Sequence, residues 1–295
     1  MIPTQLVPLP SMGVIRATGA DRKTYLQSQL TCDLVKLPIG QWSFAGHCDP
    51  KGKMIAAFRL AHLADEILML MPTSLLQADL PALNKYAVFN KIDLLDATES
   101  LQRFALIGDD ALAPLANWSG DANLRHSGDA IALIDEGRAV VVLPAGQALP
   151  EELAQLPQGE QNDFIASELL AVRPWFEAQH SGEFVPQMVN LDAIGGIQYD
   201  KGCYIGQETI ARMHFRGGNK RALYVLATSV DATGELQLQL GDNWRRAGTI
   251  IASVISGERQ LLTVVMNKEL PEQPQFQLGE HSATLLERPY PLFGQ

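Results

Sequence analysis

The sequence predicts an α+β protein. Two mixed α/β modules, about 1–100 and 101–220, are followed by a small C-terminal antiparallel β-barrel over 221–295. Up to about residue 220, β-rich runs alternate with helical ones, and the same grammar occurs twice. After Gly217-Gly218 every run is short, β-rich and broken by Gly, Pro or Asn, with no helical period. The change of texture puts the boundary near 217–224. With 295 residues, 46% of them hydrophobic, the chain has material for a large core without a disulfide or metal.

In order, "GVIRATG" reads as a strand and "ADRKTYLQSQL" as a helix, with Asp21 in its first turn, where a carboxylate suits the helix dipole. "WSFAGHCDPKGKMIAAFRL" is the clearest hairpin. Its turn is Asp49-Pro50-Lys51-Gly52, where proline presets φ and glycine accepts a positive φ. "EILMLMP" is a strand. "TSLLQADLPALNKYAV" is a helix capped by Thr73 or Ser74 and kinked or split at Pro81. "KIDLLDAT", "RFALIGDD" and "RAVVVLP" are strands, with a short helix after Asp110. "NDFIASELLAVRPW" is a capped helix that Pro174 terminates. The barrel strands are "RALYVLATSV", "ELQLQLG", "RRAGTIIASVIS", "RQLLTVVMN" and "ATLLERP".

A net charge of −10 argues against wholesale coating of nucleic acid. Two local segments are nevertheless cationic. Residues 201–224 hold Lys201, Arg212, Arg216, Lys220 and Arg221 against Glu208, and residues 47–59 hold Lys51, Lys53 and Arg59 against Asp49. They read either as a focused anion site or as solvated faces. Three cysteines without a CxxC pair fit free thiols in a reducing compartment. The N-terminal segment has no basic start leading into a long apolar run, and all apolar runs are strand-sized, so a cytoplasmic protein without membrane spans is expected.

The densest chemistry lies in "DKGCYIGQETIARMHFRGGNKRALY", residues 200–224. A helix over "QETIARMHF" would start at Gly206 and close at Gly217-Gly218, with Glu208 and Arg212 paired at i,i+4. Cys203 then precedes a helix N-terminus, with Lys201 two residues away; both features favour thiolate and should lower the thiol pKa below about 8.5. Gly202 and Gly206 clear the space beside the sulfur. The alternative is a structural turn around a packed cysteine. His214 falls near enough in sequence to approach Cys203, but no third partner can be assigned. His47-Cys48 lacks metal-ligand spacing, and no bound metal is expected.

"KGCYIGQE", in order with "TGADRKTYLQSQLTCDL", "HCDPKGKM", "KYAVFNK", "SGEFVPQMVNLD", "FRGGNKRAL" and "NWRRAGTI", resembles the YgfZ family of folate-binding proteins, relatives of the glycine-cleavage aminomethyltransferase. The resemblance spans nearly the whole chain. It implies a body that cradles tetrahydrofolate or a derivative, and a role in maintaining iron–sulfur enzymes such as tRNA methylthiotransferases. It marks Cys203 as the central residue, within a motif of Lys201, Gly202, Tyr204, Gly206, Gln207 and Glu208. Met12 and Phe164 match positions where some members offer tryptophans to folate. Arg212, Arg216, Lys220 and Arg221 are the candidate contacts for tRNA or for another anion such as the folate glutamate tail.

The chain also departs from its relatives. Ala56 and Ala57 replace the paired aspartates of the aminomethyltransferases, which argues against one-carbon transfer. Leu170 stands where an "EAG" segment supplies a pterin-binding glutamate. Glu168, two positions away, is expected on another helix face and not as its substitute. The competing readings are thus a folate-linked factor for iron–sulfur proteins, a folate-dependent aminomethyltransferase or demethylase, and a tRNA-binding module.

Overall fold

A computed structural model describes residues 3–292. The chain runs through β1 (Gln5–Pro8), β2 (Met12–Thr18), α1 (Arg22–Gln29), β3 (Gln41–Cys48), β4 (Met54–His62), β5 (Ile67–Pro72), α2 (Thr73–Ala87) and β6 (Asp93–Asp96). These give an antiparallel sheet of order β3-β4-β5-β2-β6. β7 (Leu101–Ile107), β8 (Ser119–Gly120), β9 (Leu124–Ser127), β10 (Ala130–Asp135) and β11 (Arg138–Pro144) build the second sheet. Its order is β1-β7-β11-β10-β9-β8, so the first strand of the chain crosses over to pair with β7. α3 (Glu151–Ala154), α4 (Gln161–Leu170) and α5 (Gln207–Arg216) lead to the last sheet.

That sheet holds β12 (Arg221–Ser229), β13 (Leu236–Leu240), β14 (Asn243–Arg246), β15 (Gly248–Ser256), β16 (Arg259–Asn267), β17 (Phe276–Leu278) and β18 (His281–Leu285). Its order is β14-β13-β17-β18-β12-β16-β15. The two edge strands, β14 and β15, are separated only by Ala247, so the sheet curls back toward itself as a half-barrel. Period 2 sorts β12 between two cores. Ala222, Tyr224 and Leu226 face the barrel interior with Val264 and Phe276. Leu223 and Val225 join the main core of the body, with Val14, Leu60 and Phe164.

Several local expectations change. Asp21 sits at the N-cap of α1 rather than in its first turn, and its carboxylate accepts the Lys91 N–H. α2 passes through Pro81 unbroken. Pro81 and Gln77, whose carbonyl loses its partner, both lie on the exposed face, where water replaces the lost bond. Neither Thr73 nor Ser74 caps α2: Thr73 donates to the Ser11 carbonyl and Ser74 to Glu177. α4 does start with a capping box, between Glu160 and Asp163. It ends at Leu170, before Pro174 can act, because Val172 adopts a left-handed φ of 52°. The Val172 and Arg173 N–H groups then bond back to Leu169 and Glu168.

Candidate functional site

The cysteine loop is seated on the β3–β4 turn. Asp49 Oδ1 accepts the N–H groups of Lys51 and Lys53, each at 2.8 Å, which shapes the turn. Gly52 (φ 77°) and Gly206 (φ 81°) then meet face to face. A Cβ on Gly206 would come within 2.6 Å of the Asp49 carbonyl, and one on Gly52 within 2.7 Å of Thr209. Gly206 is therefore required for this packing, not for clearing space beside the sulfur. Both positive φ values are ones that favour glycine.

The loop is also tied to the end of α1. Ile205 N–H bonds to the Ser28 carbonyl, and buried Lys201 donates from Nζ to the carbonyls of Gln27, Leu30 and Cys32, each at 2.7 Å. Burial lowers the Lys201 pKa to about 8, against the opposing pull of Cys32 and Asp33. Its three protons are committed to carbonyls, so Lys201 anchors the loop and does not serve as the thiolate's counter-ion. Tyr204 is buried beneath it, its ring 4.8 Å from Nζ, and burial raises its pKa.

Cys203 is left exposed, and Gly202 beside it has open space. Cys32 and Cys48 are buried, and burial pushes both thiols up, Cys32 to about 12. Only Cys203 is thus presented to a partner. Gln207 Oε1 accepts the Tyr204 N–H, and Glu208 pairs with Arg212 at 2.5 Å as the spacing predicts. Gly217 closes α5 at a φ of 66°. His214 stacks on Tyr199, with ring centroids 3.6 Å apart, which gives its ring a neighbour other than Cys203. Arg212, Arg216, Lys220 and Arg221 are all exposed.

A second site lies in the body. Glu136 (φ 47°) and Gly137 (φ 83°) form the two-residue turn between β10 and β11, with Asp135 opposite Arg138. This hairpin carries charge inward. Arg173 grips Asp135 with two nitrogens, at 2.7 and 3.0 Å, and reaches Glu136 at 2.8 Å. Arg59 binds Glu168 through two nitrogens, each at 2.8 Å, and Asp135 at 3.1 Å. Arg138 bridges Asp135 at 2.8 Å and Glu168 at 3.1 Å. Burial alone would raise the Asp135 carboxyl. The Arg173 hydrogen bonds and the charges of Arg59, Arg138 and Arg173 outweigh it and hold the carboxyl below the usual range.

Above this network is a cavity of about 300 Å³, lined by Trp42, Phe44, Asn123, Glu136, Arg173 and Tyr290 among others. Asn123 donates to the Trp42 carbonyl, but its Oδ1 is buried without a partner. Below is a pocket of about 20 Å³, touching Met12, Ala57, Glu168 and Trp175. Met12 lines it. Phe164 stands one layer behind, edge-on to Trp175 at 5.7 Å. Ala57 faces this pocket, while Ala56 is fully buried in the main core. Glu168 also faces it, whereas Leu170 is 38% exposed and points elsewhere. Glu168 and Leu170 thus lie on different faces, as the sequence reading expects, but the inward one is Glu168 and not Leu170, and two arginines already hold its oxygens.

The family model for the YgfZ β-barrel domain matches residues 219–281. The tRNA-modifying protein YgfZ of Photobacterium profundum is 38% identical over 97% of this chain and 92% of its own length. Its namesake in Vibrio vulnificus is 38% identical over 96% of this chain and 91% of its own. The chain belongs to the YgfZ family. A solved structure of the glycine cleavage system aminomethyltransferase T from Bartonella henselae superposes with a TM-score of 0.67 at 17% identity. It covers 98% of this chain and 86% of that one, and it establishes a shared fold. The α+β body and the curled C-terminal sheet of this YgfZ chain accord with both comparisons.

The sequence reading of this YgfZ member missed the ionic network and the cavity above it. The available signal was Glu136-Gly137, an X-Gly pair between "AIALID" and "RAVVVLP", which marks a tight hairpin carrying acids and an arginine at its tip. Among the described residues no group of three or more His, Cys, Asp or Glu is placed to hold a metal ion. None of the described helices is long and apolar enough to cross a membrane.

Proposed function

We propose that this chain is a cytoplasmic, folate-linked accessory protein that supports iron–sulfur enzymes, such as tRNA methylthiotransferases, and through them tRNA modification. The observation that carries the folate part is the cavity of about 300 Å³ walled by Trp42, Phe44 and Tyr290, with Asn123 and Glu136 among its polar lining. A pterin ring supplies a flat apolar face for Trp42, Phe44 and Tyr290 and polar edges for Asn123 and Glu136, so the lining fits tetrahydrofolate. When bound, that group would supply one-carbon chemistry. The chain's own residues bind and orient it: Trp42, Phe44 and Tyr290 supply apolar contact, and Asn123 and Glu136 supply polar edges. Ala56 and Ala57 stand where the aminomethyltransferases carry their paired aspartates, which favours an accessory role over that reaction.

Cys203, exposed on a rigidly anchored loop, is the group that meets the partner enzyme. Titration of the purified protein with tetrahydrofolate should quench tryptophan fluorescence saturably. Tyr290→Leu should weaken binding about tenfold, the worth of one aromatic contact. In a deletion strain, Cys203→Ala should fail to restore methylthiolated tRNA measured by mass spectrometry. Absence of quenching would remove the folate reading, and full restoration by the alanine variant would remove the role of the thiol.

A further inference from the structure

The barrel meets the body in a groove of about 560 Å³ at the base of the last sheet. Its lining includes Lys220, Arg221, Arg246, Thr249 and Asn267 from the barrel side, and Glu183 from the body. We propose that this groove binds the phosphate backbone of RNA through Lys220, Arg221 and Arg246. The choice of RNA rests on the reading of the chain as a tRNA-modification factor; the anion site itself rests on the groove.

The groove is shaped by the sequence. Gly248, part of its lining, lets β15 lie close on β16, since a Cβ there would lie 2.4 Å from the Val265 carbonyl and 2.7 Å from Met266. Asn219 sets the entry of β12: its amide donates to the Gln187 carbonyl and its Oδ1 accepts the Arg221 N–H. The wall from the body is fixed by Lys53, whose Nζ donates to the Glu183 carbonyl at 2.8 Å. The groove is therefore a formed cavity and not a row of loose surface side chains.

Its charge is available. Among the described residues neither Lys220 nor Arg221 has an ion-pair partner. Arg246 has Glu235 at 3.5 Å, but both side chains are more than half exposed, and such a pair is weak. The carboxylate of Glu183 is turned to His180 Nδ1 at 2.8 Å. Three cations thus face one acid within a chain of net charge −10. The chain as a whole is acidic, so attraction of a polyanion is confined to its cationic segments, of which this groove is one. Guanidinium groups suit phosphate oxygens in two-point contacts, and Thr249 and Asn267 add neutral donors. No aromatic residue lines the groove, which fits backbone contact without base reading. Exposed Phe215, five residues before Lys220, stands outside it as a stacking face for an unpaired base.

The test is fluorescence anisotropy of the full chain with an unmodified tRNA transcript between about 50 and 200 mM salt. Wild type should lose affinity steeply with salt. The triple variant Lys220→Ala, Arg221→Ala, Arg246→Ala should bind at least tenfold more weakly, with a log–log salt slope shallower by about two to three. Glu183→Gln should tighten binding, because it removes the one acid in the groove. Lys220→Arg with Arg246→Lys should retain binding, and a melt by circular dichroism confirms that all variants are folded. Equal affinity and slope in wild type and the triple variant overturn the proposal. So does polyglutamate displacing the transcript from the same residues with higher affinity, which would make this an acidic-polypeptide site. Tetrahydrofolate quenching and methylthiolation rescue are read on the same proteins. Binding RNA through the groove while failing both readouts leaves the groove standing and removes the function proposed above; passing both without RNA binding does the reverse.

Discussion

The central cleft and the cysteine side of the molecule are both rich in cations, and they use them in opposite ways. In the cleft, Arg59, Arg138 and Arg173 interlock with Asp135, Glu136 and Glu168 at 2.7–3.1 Å, and every member but Glu136 is at most 12% exposed at its side chain. On the cysteine side, Arg212, Arg216, Lys220 and Arg221 are exposed, and among the described residues Glu208 is the one acid that pairs with any of them. Buried charge must be neutralised on the spot, so the cleft's ions are committed to holding the two sheets together. Exposed charge carries no such obligation and remains free for a partner. The cysteines divide likewise, with Cys32 and Cys48 buried and Cys203 presented.

The strongest way to break that contrast is to remove the hub of the cleft. Asp135 accepts from all three arginines, so Asp135→Ala leaves buried cations short of their counter-charge and should cost about 3–5 kcal/mol in urea unfolding. The pH dependence has a definite sign. The folded carboxyl is held below its ordinary 3.8, so its contribution is fully present above about pH 4 and is lost as pH falls further. The stability gap between wild type and Asp135→Ala should therefore narrow in acid. A constant gap down to pH 2 would show that the network acts through packing alone.

Lys201 lies between the two regimes: it belongs to the cysteine motif, yet it is buried like the cleft arginines. Lys201→Met keeps the apolar stem and strips the donors from three carbonyls at the end of α1. The expected loss is about 2–3 kcal/mol, because the carbonyls stay buried without partners. Faster amide exchange confined to residues 27–32 and 200–206 would separate this anchoring role from a general loss of packing.

How far each region was legible follows from the same contrast. The β3–β4 turn, the helix of residues 207–216, its glycine stop and the Glu208–Arg212 pair are local, and residue types at fixed spacing specify them. The alternation in β12 is local too. The cleft network joins residues separated by 38, 76 and 109 positions, which no window of sequence brings together. The crossing of β1 into the second sheet is equally non-local. The role of Lys201 was misread for a related reason. Sequence places it two residues from Cys203, whereas the fold turns its ammonium toward α1. Val172 was invisible because a β-branched residue at positive φ runs against local preference, and only the surrounding packing holds it there.

The smallest expected effect is the most informative about function. Cys203 is exposed and flanked by a glycine with open space, so truncating it removes little buried surface. Cys203→Ala should shift stability by no more than about 0.5 kcal/mol, against the several expected for Asp135→Ala. It should also leave tetrahydrofolate quenching and RNA affinity unchanged, since the cleft and groove lie on other residues. A variant that is as stable as wild type, binds both ligands and still fails to restore methylthiolated tRNA isolates the sulfur's chemistry from the fold. A drop of 2 kcal/mol or more would instead place the thiol among the structural groups and erase the distinction between the two regions at its centre.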